Sequence, residues 1–242
     1  MFRKKHIAKN IIVALDFDGC IAYGEKAKIH YANKLFGINP NRDQIVKATF
    51  PLGGKKYREL MDHVATEGIM EYELAPDVHH VLRKLYSEGF RFAIVTSRLE
   101  YGSYRELSAC KKFCRYHNLP IKYFYNTNDN PKEIICRKLH SRAIIDDTLF
   151  KLRDLMNSDM NLFFLRQRWN SHESVHLSEK NMIFEIGSWQ EFYEKLHAMR
   201  RLHESVCLAL NIDNNWSNLS KIVSFIRQNP GKANEYYRKY SG

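Results

Sequence analysis

The apolar run Ile11-Ile12-Val13-Ala14-Leu15 breaks off into Asp16-Phe17-Asp18-Gly19-Cys20. No other stretch constrains the fold as much. Branched apolar residues without alternation predict a strand buried on both faces, as in parallel sheets covered by helices. Such sheets bind ligands beyond the carboxyl ends of their strands, where the two aspartates fall. Residues i and i+2 of a strand share a face, but a turn at Gly19 swings Asp18 around. Two crowded carboxylates repel. They are tolerable with a divalent cation between them or with one proton held; the bland alternative is a solvated strand end with an Asp-Gly turn.

The rest of the chain supports the sheet. After the first strand, from about Tyr23 to Leu74, the pattern is helical. Ile29, Ala32, Leu35 and Phe36 share one face before Gly37, a further helix is expected near Arg42, and Tyr57, Leu60, Met61 and Val64 mark another. Pro76 opens a helix carrying Val78, Val81, Leu82 and Leu85. Strand patterns then alternate with helices: Phe92–Val95, ending in Thr96-Ser97-Arg98; a helix from about Tyr104; Tyr123–Tyr125; a helix opened by Pro131-Lys132; Ala143–Ile145, ending in Asp146-Asp147; a helix with Leu149, Leu152 and Leu155; and Asn161–Leu165, read as the last clear strand. This order predicts an α/β fold, a doubly wound parallel sheet with helices on both faces. Trp189 to about Leu210 reads as a helix, followed by an Asn-rich turn and another helix around Ile222–Ile226.

Composition narrows the function classes. The 242 residues suffice for one α/β core and an accessory unit. No apolar run reaches the roughly 18–20 residues of a membrane span. The basic start (Arg3, Lys4, Lys5, Lys9) has too short an apolar run for a signal peptide. The five cysteines lack a framework spacing, so a reducing, cytoplasmic setting is expected. A net charge of +11 favours anionic partners. The basic residues are scattered, so a solvated surface is the simpler expectation than a nucleic-acid stripe. From Ala198 onward seven basic residues face three acidic ones.

Asp16, Asp18, Thr96, Lys132, Asp146 and Asp147 all stand at strand or helix ends. In a doubly wound sheet these tips line one crevice. Two carboxylates, a hydroxyl, an ammonium and a second acidic pair meet the needs of phosphoryl transfer: a nucleophile, an acid, and cations and donors for the phosphoryl oxygens. The ordered set DFDGC, IVTSR, Lys132 in NPKEIICRKL, and AIIDDT resembles the four motifs of the haloacid dehalogenase (HAD) superfamily. The TSR, IDD and RQRWN stretches are most similar to its 5'(3')-deoxyribonucleotidase-like subgroup, although the proline of the QPWN-like stretch is absent.

The resemblance implies a Rossmann-like core over residues 1–22 and 75–197, a helical cap over 23–74, and a basic helical extension over 198–242. It implies a Mg²⁺-dependent phosphomonoester hydrolase acting on small phosphorylated metabolites, nucleotides among them. Asp16 would attack phosphorus and Asp18 would serve as acid and then base. Thr96, Ser97, Arg98 and Lys132 would contact the substrate. Asp16, the Asp18 carbonyl and Asp146 would hold Mg²⁺, with Asp147 assisting. The dehalogenase branch lacks an acid at the Asp18 position, which favours phosphate chemistry.

Other features read more simply. Cys20 replaces the usual Thr or Val and reads as packing. Cys110, Cys114 and His117 share a helix face without an evident fourth ligand, so core packing is expected. Gly53-Gly54-Lys55-Lys56 reads as a turn and a solvated helix start, and His79-His80 as a surface pair. Arg98 touches either substrate or a surface acid. Trp169-Asn170 either lines the crevice or is a buried tryptophan beside a turn. Two competing functions are a phosphatase for a nucleic-acid end or phosphoprotein, and a non-catalytic adaptor using the C-terminal helices.

Overall fold

The computed structural model describes residues 11–98, 105–127 and 130–209. The basic lead-in 1–10 and the helix expected around Ile222–Ile226 lie outside them. Six strands form one parallel sheet: β1 (Ile11–Leu15), β4 (Phe90–Thr96), β5 (Ile121–Asn126), β6 (Ala143–Asp146), β7 (Asn161–Leu165) and β8 (Ile183–Ile186). Between β1 and β4 run β2 (Ala22–Tyr23), α1 (Glu25–Phe36), α2 (Gly53–Val64), β3 (Glu73–Leu74) and α3 (Val78–Ser87). Then α4 (Arg105–Tyr116) follows β4, α5 (Lys132–Lys138) follows β5, α6 (Leu149–Arg153) follows β6 and α7 (Trp189–Ala209) follows β8.

The sheet order is β5-β4-β1-β6-β7-β8. Sequence reversal beside β1 puts the topological switch there, where a doubly wound sheet opens a ligand crevice. Leu15 pairs with Ile94 of β4 and with Ile145 of β6. The residues just beyond, Asp16, Thr96 and Asp146, are therefore carried to one rim, and the Asp16 N–H extends the ladder to the Ile145 carbonyl at 2.9 Å.

Period-2 alternation sorts the strands' side chains onto two cores. Val13, Leu15, Phe92, Ile94, Ile145 and Phe163 pack with α3, α4 and α7; Ala14, Val95, Ile144, Leu162 and Phe164 pack with residues of α5 and α6. Both faces are thus covered by helices, the α/β architecture read from the sequence.

The sheet has one strand more than the sequence reading. β8 is only four residues long and presents just Ile183 and Ile186 as buried positions, too short a pattern to separate from a turn. The helix expected near Arg42 is a single 3₁₀ turn, Arg42–Gln44, capped by the Asn41 side chain. Gly53 and Gly54 open α2 at the surface. Cys110 and Cys114 are fully buried, and the His117 ring lies 4.3 Å from that of Phe113. That is packing, not ligation.

The segment between β1 and α3 leaves and returns through one antiparallel ribbon, β2 with β3. Within it α1 and α2 pack together through Tyr31, Phe50, Leu60 and Val64. The Trp189 N–H at the start of α7 donates to the Cys20 carbonyl at 3.0 Å, with the ring 2% exposed. Trp189→Phe strands that carbonyl. It should cost about 1–3 kcal/mol, read in urea as a lower midpoint with an unchanged slope.

Candidate active site

Asp16, one residue past β1, is 4% exposed, and Asp146, at the tip of β6, is fully buried. Lys132, the first residue of α5, places its ammonium between them, 2.5 Å from Asp16 Oδ1 and 2.7 Å from Asp146 Oδ2. The other Asp146 oxygen accepts the Thr148 N–H at 2.9 Å. Burial raises the Asp16 pKa, Lys132 opposes this, and Asp146 adds to it. Burial works against the Lys132 ammonium, but Asp146 and Asp16 together hold its pKa above the ordinary lysine value.

Asp18 faces the cavity with a different partner. Arg98, two residues past β4, forks onto it: Nε to Oδ2 and Nη2 to Oδ1, both at 2.6 Å. Burial alone would raise the Asp18 pKa; the guanidinium outweighs it and lowers the pKa. Arg98 is itself 7% exposed. Nη1 donates to the Ala65 carbonyl at 3.0 Å and Nη2 to the Tyr72 hydroxyl at 3.1 Å. Its Cζ lies 4.9 Å from the centroid of the Phe17 ring, so the residue between the two aspartates supports the arginine that holds the second. Arg98 does pair with an acid, but that acid is Asp18 on the cavity wall rather than one on the outer surface. The backbone N–H of Arg98 reaches Thr96 Oγ1 at 3.3 Å, which leaves the hydroxyl proton free to donate elsewhere.

Asp147 is fixed from another side. Trp169 Nε1 donates to Oδ2 at 2.7 Å, and the Asn170 side chain donates to the Asp147 carbonyl at 2.8 Å. Trp169-Asn170 therefore belongs to the site. Gly19, at φ +77°, sits against the same carboxylate: a Cβ there would fall 2.0 Å from Asp147 Oδ2. Only glycine meets both the turn and that approach. Gln167 donates to the Gly19 carbonyl at 3.1 Å and to the Tyr23 hydroxyl at 2.8 Å. Arg168 bridges to Asp43 at 2.7 Å and Glu25 at 3.1 Å. The stretch 167–170 thus ties the first loop, the acidic pair and the helical segment together.

A cavity of about 260 Å³ opens among these groups. Asp16, Asp18, Thr96, Ser97 and Arg98 line it from the sheet, Arg58, Met61 and Asp62 from α2 and Ala65 from just past its end, and Glu106 and Lys151 from α4 and α6. Positions 58, 61, 62 and 65 are one helical face. Lys132 does not line the cavity; it lies behind Asp16. Lys151, Arg58 and Asp62 went unnoticed in the sequence because no strand tip or motif marks them. A second cavity, of about 250 Å³, is lined by Arg137, His140, Ser141 and Met160. It lies at the opposite ends of the strands, away from the carboxylates.

Oxygens of Asp16 and Asp147 and the Cys20 sulfur lie within 4.8 Å of one another. Among the described residues, the ion pairs made by the four carboxylates Asp16, Asp18, Asp146 and Asp147 involve two cations, Lys132 and Arg98. Converging hard oxygens with uncompensated negative charge fit a divalent cation. Burial, with Asp16 and Asp146 nearby, pushes the Asp147 pKa up to about 7.

No family model matches the chain, and no curated protein matches it in sequence. Solved structures do match. A predicted phosphatase from Clostridium acetobutylicum is 14% identical, covering 78% of this chain and 99% of that one, with a TM-score of 0.57. A HAD family hydrolase from Deinococcus radiodurans with bound phosphate and sodium is 13% identical (79% and 95% covered, TM-score 0.52). CbbY from Rhodobacter sphaeroides, in complex with phosphate, is 15% identical (75% and 95% covered, TM-score 0.53). At these identities the likeness is one of fold: the chain has the Rossmann-like α/β fold of HAD hydrolases.

The raised Asp147 pKa sets a pH dependence. A carboxyl that binds its proton more tightly folded than unfolded stabilises the fold below its unfolded pKa and loses that contribution as pH rises through the folded one. In chelator-treated protein the melting temperature should therefore fall between pH 4 and pH 7, the window set by 3.8 and about 7. Asp147→Asn should flatten that slope in calorimetric scans.

Proposed function

We propose that the chain is a Mg²⁺-dependent phosphomonoester hydrolase that works through an aspartyl-phosphate on Asp16, with small phosphorylated metabolites, nucleotides among them, as substrates. One observation carries the reading: Asp16, Asp18, Thr96 and Ser97 open onto one cavity, with Lys132 clamped behind the nucleophile. The HAD fold supports it. The deoxyribonucleotidase-like subgroup rests on the TSR, IDD and RQRWN stretches alone.

Asp16 Oδ attacks phosphorus while Lys132 offsets its charge and fixes its orientation. Asp18 gives a proton to the departing alcohol oxygen, then takes one from the water that opens the aspartyl-phosphate. Both Asp18 oxygens are forked by Arg98, which lowers the Asp18 pKa, so that pair must loosen and Asp18 must take up a proton from solvent before it can serve as the acid. Arg98 contacts substrate only in that loosened state. The Thr96 hydroxyl and the Ser97 group on the cavity wall donate to phosphoryl oxygens. Asp16, the Asp18 carbonyl, Asp146 and Asp147 would hold Mg²⁺, which supplies charge neutralisation at the phosphoryl oxygens.

Residues 23–74 form the cap over the core, 1–22 and 75–197 the core itself, and 198–242 a basic extension. The α2 face bearing Arg58, Met61 and Asp62 meets the leaving group. A cavity of about 260 Å³ lies below the roughly 300–1,000 Å³ of drug-sized pockets, which favours small substrates over a macromolecule. Among the described residues the cysteines are free thiols and no helix is long and apolar enough to cross a membrane; the thiols support a cytoplasmic setting.

Asp16→Asn should abolish turnover of a phosphomonoester panel in Mg²⁺, by at least about 10³-fold on the scale of lost nucleophiles, with the far-UV spectrum and melting cooperativity retained. Wild-type turnover in that variant would rule out the covalent route.

A further inference from the structure

The lysine that the motifs single out is not the one that faces the substrate space. Lys132 is 5% exposed, and its ammonium is taken up by Asp16 and Asp146. Arg98 is likewise committed, to Asp18, Ala65 and Tyr72. A phosphoryl group entering the cavity carries negative charge on three outer oxygens; Lys132 keeps one of its three N–H donors but does not line the cavity, and Arg98 lines it but is forked onto Asp18, so neither cation is both facing the cavity and unengaged.

Lys151 is. It lines the cavity beside Asp16, Asp18, Thr96 and Ser97. It makes no side-chain hydrogen bond or ion pair among the described residues. Its charge reaches Asp16, Asp18 and Asp147, favouring the ionised form of each. The local sequence explains the placement. The chain turns from Asp146-Asp147 through Thr148 directly into α6, and the Lys151 N–H bonds the Thr148 carbonyl at 3.1 Å. Leu149 and Leu152 are fully buried and anchor the helix. Helical side chains lean toward the N-terminus, so the Lys151 stem runs back over the tip of β6. Phe150, on another face, is 67% exposed.

We propose that Lys151 is the residue that binds the outer oxygens of the substrate phosphoryl group, opposite Thr96 and Ser97, while Lys132 holds Asp16 and Asp146 in place. The proposal rests on the phosphomonoester-hydrolase reading above. A mobile ammonium suits the role: it follows the phosphoryl oxygens as the group passes from the alcohol to Asp16, and its attraction grows where charge gathers on those oxygens.

The test uses the full chain with Mg²⁺ present. Inorganic phosphate binding is measured by isothermal titration calorimetry and p-nitrophenyl phosphate hydrolysis by steady-state kinetics. Lys151→Met should weaken phosphate binding about tenfold or more and raise KM. Lys151→Arg should recover part of the affinity. Lys138→Met, which removes an exposed charge at the far end of α5, controls for net charge and should bind phosphate like the wild type. Circular dichroism and melting checks confirm that each variant folds; Lys151 is half-buried with no hydrogen-bonded partner among the described residues, and the Arg variant gives a second folded form. Wild-type phosphate affinity in a folded Lys151→Met protein would overturn the role of this lysine while leaving the hydrolase reading intact. A wild-type chain that neither binds phosphate nor hydrolyses any ester would overturn both.

Discussion

The Lys132 ammonium, buried between the carboxylates of Asp16 and Asp146, is the interaction on which the site depends. Two aspartates on adjacent strand tips repel, and each loses hydration on entering the interior. Lys132 offsets that repulsion from within, so β1, β6 and the start of α5 are held at one point. The arrangement has a cost. Removing one member of such a buried set leaves an uncompensated charge, on the order of 3–5 kcal/mol. The site is thus also a structural joint, and Asp16 is oriented before anything binds.

Asp18 shows the opposite logic. Its partner, Arg98, is anchored partly outside the sheet, on the Ala65 carbonyl and the Tyr72 hydroxyl of the segment between β1 and α3. Asp16 is tied to the sheet and Asp18 to the helical segment above it. The two carboxylates sit two residues apart in sequence, yet they answer to different parts of the molecule. This division matches chemistry in which one group must stay fixed and the other must exchange protons. Arg168, bonded to Asp43 and Glu25, fastens the same segment to the sheet from the other side of the crevice.

Much of this was legible in the sequence. Runs of branched apolar residues ending in Asp or Thr marked β1, β4 and β6, because parallel strands buried on both faces leave a period-free apolar signature with a polar tip. What stayed hidden depends on distance and direction. The Arg98–Asp18 fork spans 80 positions, and no local pattern announces it. Trp169 meets Asp147 only because β7 lies beside β6. Lys151 looks like any solvated lysine on a short helix until its neighbours are placed. β8 was missed because four residues with two buried positions carry too little periodicity to separate from a turn.

The central claim is that Asp16 carries the phosphoryl group during turnover. It is tested most directly by rapid acid quenching with a ³²P-labelled phosphomonoester, followed by peptide mapping. Label on the peptide containing Asp16, released by hydroxylamine as expected of an acyl phosphate, is the predicted result. Turnover without protein-bound label at any quench time, or label on a different residue, would contradict it.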